Sequence, residues 1–335
     1  MIKVTNIICS IGDNMRKACL LGLIALSALS SGCTTIPATN APTVDIRVMT
    51  FNIRNGRAND GDNRWDLRKE FVCDVIRDYA PAVLGVQEAY RFQLDEFNKR
   101  LPEYSEVGIG RDGGSRGEHS SILYLQERFR VDESGTFWLS DTPTKPSAHW
   151  GNRYRRVCTW VRLIDKETAQ PFYVYNTHMD HQSQRAREEG AQLIMKRIQE
   201  RTQPDPFILM GDFNAAESNP VIRYLKGTGK LTSDTPVPVI DSWRVLHPDE
   251  KVVGTGSRFT GHLDGPKIDY IFVTPDTHVS EATIVRTSRN GRYPSDHYPV
   301  TAHLSLRHGP SATTTQRTNA EQSPAGDVLK AAPEE

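Results

Sequence analysis

Two kinds of hydrophobic pattern recur along the middle of the chain. Short runs rich in β-branched and aromatic residues predict buried strands. These runs cover residues 46–53, 81–86, 171–178, 206–214, 267–274 and 298–306. Helical spacing of apolar residues appears within 71–79 and 185–201, and Ser218 with Pro220 close behind predicts the start of another short helix. Both periods in one chain predict a layered α/β domain.

The two ends of the chain differ from its middle. Residues 33–44 and the Ser-, Thr-, Ala-, Pro- and Glu-rich residues 308–335 lack apolar periodicity, which predicts a tether and a disordered tail. No linker, repeat or composition break interrupts the stretch between them. The chain has 335 residues, of which 37% are hydrophobic, so the sequence predicts one domain with its own core over residues 45–307.

The first 32 residues have the features of an export signal. A short basic stretch at residues 15–17 precedes the apolar run ACLLGLIALSALS, which is too short to span a bilayer comfortably. The run ends in SSGC, a pattern similar to a bacterial lipoprotein signal, with Ser30 where an aliphatic residue is usual. The sequence therefore predicts a signal peptide over 1–32 and an exported protein anchored to the membrane by a lipid on Cys33. The alternative is an exported protein that is periplasmic or secreted.

Charge and cysteine content narrow the functional classes. The chain holds 41 Lys and Arg against 41 Asp and Glu. Without residues 1–32, which carry three basic residues and one acidic residue, 38 basic and 40 acidic residues remain. This near-zero net charge gives no support for nucleic acid as a partner, because binding its many phosphates requires many basic residues. A local basic patch would still be compatible with nucleic acid. The cysteines form no close pair, which excludes a zinc finger, and a disulfide between Cys73 and Cys158 stays open.

Several polar residues follow or end the predicted strands. They are Asn52, Glu88, His178, Asp212 with Asn214, and the pair Asp296-His297, which is expected to open the last strand. Functional sites in layered α/β folds collect where strand ends meet loops, because the sheet fixes the backbone while the loop exposes the side chain. The positions predict a single pocket.

Asp212 and Asn214 follow a buried run and a glycine, two residues apart, so their side chains are expected to point the same way. An acid that takes a proton from water benefits from a neighbour that orients the water, and Asn donates without competing for the proton. The alternative is a simple turn after a strand.

Glu88 offers a carboxylate at the end of a buried strand. Mg²⁺ prefers oxygen ligands and keeps several waters, so one or two carboxylates suffice when a substrate phosphate completes the site. An amide oxygen from Asn52 beside that carboxylate is chemically sensible, and Asp296 either reaches a metal or caps a turn. The competing interpretation of Glu88 is a solvated strand end.

His178 and His297 each border an apolar strand and could donate to the charge that develops on a phosphoryl group. Asp269 lies among apolar residues, where an unpaired carboxylate is costly, so we expect it to pair with His297. A structural pair with an arginine is the alternative. Arg153 or Arg155 could clamp a substrate phosphate through the guanidinium fork, although surface arginines are usually only solvated.

Each motif alone is weak, but their order along the chain is specific. The succession resembles the endonuclease/exonuclease/phosphatase superfamily over residues 45–307, with residues 59–65, 134–140 and 291–297 most similar to a bacterial branch of it. The segments that carry the resemblance are Asn52, Gln87-Glu88, Asn176-Thr177-His178, Gly211-Asp212-Phe213-Asn214, Lys267-Ile268-Asp269-Tyr270 and Ser295-Asp296-His297.

The resemblance implies a fold and a metal site. The fold is an α/β four-layer sandwich, in which two packed mixed β-sheets are flanked by helices, as in pancreatic deoxyribonuclease. Glu88 would bind Mg²⁺ or Mn²⁺, with Asn52 and Asp296 nearby as further or second-metal ligands.

The resemblance also implies roles in catalysis. Asp212 would activate the attacking water and Asn214 would position it. His178 and His297 would stabilise the charged transition state, with Asp269 orienting His297. The sequence departs from the family pattern at His119, where an aromatic residue is common, so a role of His119 as a substrate contact or a further phosphate donor stays open.

The implied function is metal-dependent hydrolysis of a phosphomonoester or phosphodiester by a water that an aspartate activates. An exported nuclease and a sphingomyelinase-like phospholipase are alternatives, because the superfamily includes both and the fold cannot choose between them. A membrane-tethered binding protein is the alternative outside enzymes, but the complete polar set argues against it. We expect a small or exposed phosphoester as substrate, and a monomer.

Overall fold

A computed structural model describes residues 43–307, which contain twelve strands and five α-helices. The strands are β1 (Thr43–Asn52), β2 (Val83–Gln87), β3 (Tyr104–Val107), β4 (Ile122–Leu125), β5 (Phe129–Trp138), β6 (Val157–Asp165), β7 (Pro171–His178), β8 (Phe207–Asp212), β9 (Ile240–Asp241), β10 (Asp269–Val273), β11 (His278–Ile284) and β12 (Val300–Arg307). The helices are α1 (Trp65–Tyr79), α2 (Arg91–Arg100), α3 (Gln184–Gln199), α4 (Pro220–Leu225) and α5 (Ser242–Leu246). The predicted signal peptide, nearly all of the tether and the tail lie outside the described residues.

The strands form two six-stranded sheets. The first has the order β11-β12-β1-β2-β4-β3 and the second has the order β5-β6-β7-β8-β10-β9. Both are mixed, since β1 pairs with β2 and β7 with β8 in parallel while their other pairings are antiparallel. The four-layer α/β sandwich predicted from the resemblance is confirmed.

The central strands have continuous apolar sequences because both of their faces are buried. In β1, Ile46 and Val48 belong to the cluster between the sheets, whereas Met49 and Phe51 belong to the cluster beneath α1 and α2. In β8, alternate residues face the other sheet or the layer of α3 and α4. A strand that is buried on both faces has no polar alternation, so only its length and β-branched content mark it in the sequence.

Two helices predicted from apolar spacing are present and cover the outer faces. Helix α1 buries Val72, Val75 and Ile76, and it ends where Ala80 takes a left-handed conformation (φ 51°) directly before a proline. Helix α3 begins after Ser183, whose hydroxyl accepts from the backbone N–H of Ala186.

Three boundaries differ from the sequence predictions. Strand β8 ends at Asp212, not Asn214. Strand β12 begins only at Val300, so Asp296 and His297 lie on the preceding loop and do not open the strand. The short helix α4 was predicted to begin at Ser218, but its N-cap is Asn219 and its first residue is Pro220. The side chain of Asn219 accepts from the N–H of Val221, and the fixed φ of proline suits the first helical position.

Cys73 and Cys158 are both buried free thiols in different core clusters, so they do not form the disulfide that the sequence left open. Burial raises the pKa of Cys73 to about 12, which makes it an inert packing residue. Within residues 43–307, no helix has the length and apolar character needed to cross a membrane.

Candidate active site

A pocket of about 450 Å³ opens where β1, β2, β7 and β8 end. Six of the residues predicted from strand ends line it: Glu88, His178, Asp212, Asn214, Asp296 and His297. Asn52 and Asp269 lie buried directly behind these residues and hydrogen-bond to them. The remaining lining comes from loops and consists of Arg54, Asn55, Ala58, Tyr90, Arg111, Glu118, Tyr154, Arg156 and His181.

Glu88 is the first residue after β2 and adopts a positive φ of 61°, which turns its carboxylate into the pocket. Oε2 accepts from the backbone N–H of Asn55 (2.8 Å), and Oε1 accepts from Nδ2 of Asn52 (3.1 Å). Burial alone would raise the pKa of Glu88, but the charge of His297 and these two hydrogen bonds hold it below its usual value. Glu88 is therefore a fixed, ionised carboxylate at the pocket and not a solvated strand end.

Asn52 has a different geometry from the one expected of a metal ligand. Its side-chain oxygen accepts from the backbone N–H of Arg54 (3.0 Å), which fixes the orientation of the amide. The Nδ2 group donates to Glu88 and also to Oδ2 of Asp212 (3.0 Å). In this geometry the nitrogen of Asn52 faces both carboxylates, so a role of its oxygen as a metal ligand stays a prediction. Asn52 positions these two acids.

Asp212 and Asn214 both reach the pocket, but they do so through a turn. The backbone N–H of Asn214 donates to Oδ1 of Asp212 (2.9 Å), and Nδ2 of Asn214 donates to the carbonyl of Met179 (3.0 Å). Gly211 permits the close approach of β7, since a Cβ at this position would lie 2.0 Å from the carbonyl oxygen of Thr177. The sequence left open that these residues form only a simple turn. The turn is present, and it directs the carboxylate of Asp212 into the pocket.

The environment of Asp212 suits a base. Burial first, and the negative charge of Asp269 second, raise the pKa of Asp212 to about 7, although His297 and the hydrogen bonds from Asn214 and Asn52 oppose the shift. A proton acceptor works best when its pKa is near the working pH.

His297 and Asp269 form the predicted pair. Nδ1 of His297 lies 2.9 Å from Oδ2 of Asp269, and the carboxylate is almost fully buried at the start of β10. Burial would lower the pKa of His297, but the charge and hydrogen bond of Asp269, together with the charge of Asp212, raise it well above the usual value. The free Nε2 of this imidazolium lies 3.9 Å from Oδ2 of Asp212.

His178 is the opposite kind of imidazole. Burial lowers its pKa far below the usual value, and the nearby positive charges of Arg156 and His297 add to the effect. Its Nε2 lies 3.5 Å from Oδ2 of Asp212. One cationic and one neutral histidine thus lie beside the same carboxylate.

Asn176, two residues before His178, has a structural task. Its Nδ2 donates to the carbonyls of Val86 (2.9 Å) and Ser121 (2.8 Å), and its oxygen accepts from Nε2 of Gln87 (2.7 Å). Val86 and Gln87 belong to β2 of the first sheet, Ser121 directly precedes β4, and Asn176 belongs to the second sheet, so the fully buried amide ties the sheets together beneath the pocket.

The pocket residues that come from loops were largely missing from the sequence predictions. Arg111 pairs with Glu118 at 2.5 Å, and Nη2 of Arg156 lies 3.1 Å from Nδ1 of His181, which stacks against Tyr154. These residues come from separate loops without hydrophobic periodicity, so the sequence carries no signal for their convergence.

The three residues predicted to bind substrate, Arg153, Arg155 and His119, do not line this pocket. Arg153 is exposed over the ring of Tyr154, and Arg155 pairs with Asp112 at the surface (2.8 Å). His119 is buried with Nδ1 against the carbonyl of Ala89 (3.1 Å), and it borders only a small neighbouring cavity. None of the three lines the main pocket, whereas Arg156 next to them in sequence does.

The donor set fits a hard divalent cation. Glu88 and Asp296 line the same pocket, and burial followed by the charge of Glu88 raises the pKa of Asp296 despite the nearby charges of His297 and Arg54. Two half-buried carboxylates that disfavour each other's charge are stabilised by a shared cation. Asp212, Asp269 and His297 form a second group, with ligand atoms within 4.8 Å of one another, although the hydrogen bond to Asp269 occupies one imidazole nitrogen.

Comparison with known proteins identifies the family of the chain. A model of the endonuclease/exonuclease/phosphatase family matches residues 49–297. A solved protein of that family from Bacteroides thetaiotaomicron is 31% identical, with a TM-score of 0.70, over 79% of this chain and 99% of its own. A mannosyl-6-phosphatase from the same organism is 31% identical, with a TM-score of 0.69, over 77% of this chain and 99% of its own.

Curated relatives are more distant. Nocturnin of Drosophila melanogaster is 23% identical over 306 residues, which is 78% of this chain. The chain spans 47% of that protein's length and 59% of the length of an uncharacterized mimivirus protein that it also matches.

Proposed function

Because the chain belongs to the endonuclease/exonuclease/phosphatase family, we propose that it is a divalent-metal-dependent phosphoric ester hydrolase that acts on small phosphomonoesters. The observation that carries the proposal is the grouping of Asp212 with one cationic and one neutral histidine in a pocket that Glu88 and Asp296 also line. A binding protein has no need of an acid poised to ionise near neutral pH in this setting.

Glu88 and Asp296 would hold Mg²⁺ or Mn²⁺, since both ions accept carboxylate oxygens and leave positions for substrate oxygens. When bound, the ion would polarise the phosphoryl group and neutralise part of its charge. Asn52 donates to Glu88 and Asp212 at once, so it would keep the metal wall and the base at a fixed separation.

Each of the other pocket residues would have its own role in the in-line attack of water on the phosphoryl group. Asp212 would remove the proton of the attacking water, because its raised pKa makes it a competent acceptor and two hydrogen bonds fix its oxygens. Asn214 lies beside it in the pocket and would orient that water. His297, kept protonated by Asp269, would donate to the developing charge on the phosphoryl oxygens, with neutral His178 as a second donor.

The size of the pocket and one relative support the proposed substrate class. A volume of about 450 Å³ holds a sugar phosphate but not a stretch of duplex. The mannosyl-6-phosphatase neighbour is similar enough in sequence to make hexose 6-phosphates the first candidates. The near-neutral charge of the chain agrees with a single phosphate as the recognised group.

A substrate panel tests the proposal. Purified protein with Mg²⁺ or Mn²⁺ would be assayed against hexose 6-phosphates, nucleotides, plasmid DNA, RNA and phospholipid vesicles, with EDTA as the metal-free arm. We expect the highest kcat/KM for a small phosphomonoester, no turnover in EDTA, and a loss of about 100-fold or more in kcat for Asp212→Asn. Full activity in EDTA, or plasmid cleavage that exceeds every small substrate, would refute the proposal.

The proposal includes an exported location. The basic and apolar stretch that ends in SSGC supports processing before Cys33 and attachment of a lipid there. An enzyme anchored in this way would meet phosphoesters outside the cytoplasm.

A further inference from the structure

Three arginines line the active-site pocket, and two of them are already neutralised. Arg54 forms two hydrogen bonds to Asp60, at 3.0 and 2.9 Å, and Arg111 pairs with Glu118 at 2.5 Å. Arg156 has no carboxylate oxygen within hydrogen-bond distance among residues 43–307, since the nearest, Oδ2 of Asp180, is 3.8 Å from its Nε.

The guanidinium of Arg156 is also short of acceptors. A guanidinium has five N–H donors. Within the described part of the chain, the one hydrogen bond of Arg156 is from Nη2 to Nδ1 of His181 (3.1 Å), and its buried Nε has no partner. The residue is only 4% exposed. A buried cation with unused donors is costly unless a ligand provides the missing acceptors and charge.

His181 fixes the direction of this group. Because arginine can only donate, Nδ1 of His181 must be the acceptor and its other ring nitrogen carries the proton. The imidazole is in turn stacked on Tyr154, with ring centroids 6.3 Å apart and an interplanar angle of 21°. Arg156 is thus held in place at the pocket wall that also carries His178.

We propose that Arg156 is the specificity-determining residue of the site, which binds a terminal oxygen of the phosphoryl group and thereby favours phosphomonoesters over phosphodiesters. A monoester carries close to two negative charges near neutral pH and three terminal oxygens, as a phosphorylated side chain does. A diester has one charge and two terminal oxygens. A guanidinium with unused donors and no hydrogen bond to a carboxylate within residues 43–307 therefore matches the additional oxygen and charge of the monoester.

The inference rests on the proposed function, and the test separates the two. Wild type, Arg156→Gln and Arg156→Lys would be compared on para-nitrophenyl phosphate and methyl para-nitrophenyl phosphate, which share a leaving group, in saturating Mg²⁺. Binding of inorganic phosphate, measured by calorimetry at mildly alkaline pH, gives a readout that does not depend on turnover.

Arg187→Gln is the matched control. Arg187 is a buried arginine that donates to the carbonyl of Asp180 (2.8 Å) but does not line the pocket. Its loss should lower the melting temperature without altering the ratio of monoester to diester hydrolysis.

For Arg156→Gln we expect kcat/KM on the monoester to fall on the order of 100-fold, the scale of one lost two-point charged contact, while the diester changes by about 3-fold or less. Phosphate binding should weaken in parallel, and Arg156→Lys should recover part of the monoester activity because it keeps the charge but not the fork. Equal losses on both substrates, or unchanged phosphate binding, would overturn the inference and leave the hydrolase function intact. A wild type that binds phosphate through Arg156 but hydrolyses neither ester would refute the function and leave Arg156 as an anion site.

Discussion

The pair formed by His297 and Asp269 gives the sharpest test of how the site works. Asp269→Asn keeps the shape of the side chain but removes the negative charge that holds His297 protonated. A hydrogen bond to a charged group contributes about 1.5–3 kcal/mol, and each 1.4 kcal/mol corresponds to about tenfold in rate. We therefore expect kcat/KM to fall about 10- to 150-fold in Asp269→Asn.

His297→Ala should cost more, because it removes the donor itself. Once the imidazole is absent, Asp269 acts only through its charge beside Asp212, so the activity of the double variant should differ little from that of His297→Ala. The coupling between the two substitutions should then equal the whole effect of Asp269→Asn.

The assay is kcat/KM for the four proteins of this cycle on the best phosphomonoester in saturating Mg²⁺, with folding checked by circular dichroism. Asp165→Asn is the matched control, since Asp165 is a fully buried carboxylate that accepts from Arg128 (3.1 and 2.8 Å) and does not line the pocket. It should lower stability without changing kcat/KM. Additive losses in the double variant, or a change of less than about twofold in Asp269→Asn, would show that Asp269 is only structural.

Three further predictions concern metal binding, stability and location. Glu88→Gln should raise the Mg²⁺ concentration needed for half-maximal activity about tenfold or more at an unchanged melting temperature, and a metal titration that matches wild type would contradict the assignment. Lys267→Met should lower the free energy of unfolding in urea by about 3–5 kcal/mol, because it strands the Asp241 carboxylate that lies 2.9 Å from Nζ in a fully buried pair. The double variant Lys267→Met/Asp241→Leu should recover most of that loss, and an equal loss in both would show that the pair is not the cause. Cys33→Ser should move the protein from the membrane fraction to the soluble fraction, and an intact mass without acyl groups in the wild type would refute the lipoprotein interpretation.

The strands and helices that could be predicted from the sequence are those whose buried residues form a regular apolar pattern along the chain. Strands β1, β2, β7, β8, β10 and β12 are mostly buried and read as apolar runs, and α1 and α3 bury one face at helical spacing. Strand β5 alternates exposed and half-buried residues around polar side chains, and α2 buries only Gln93, Leu94 and Phe97. Short or polar elements of this kind are stabilised by tertiary contacts, which local sequence does not report.

The same distinction applies to the site. Glu88, His178 and Asp212 could be found because each directly follows or ends an apolar run. The neighbouring arginines Arg153, Arg155 and Arg156 look alike in sequence, and the prediction favoured the first two. Only tertiary structure shows that the last of them, directly before β6, is the one that turns inward.

The location of the site follows from strand direction. The two parallel pairs in residues 43–307 end with Asn52 opposite Gln87 and with His178 opposite Asp212. Strand β10 runs antiparallel to β8, so it begins where β8 ends, and its first residue, Asp269, is the register partner of Asp212. Strand β12 runs antiparallel to β1, so the loop that precedes it returns His297 to the same edge. Carboxyl ends of parallel strands and amino ends of their antiparallel neighbours thus meet at one place, and Asn176 joins the two sheets beneath it.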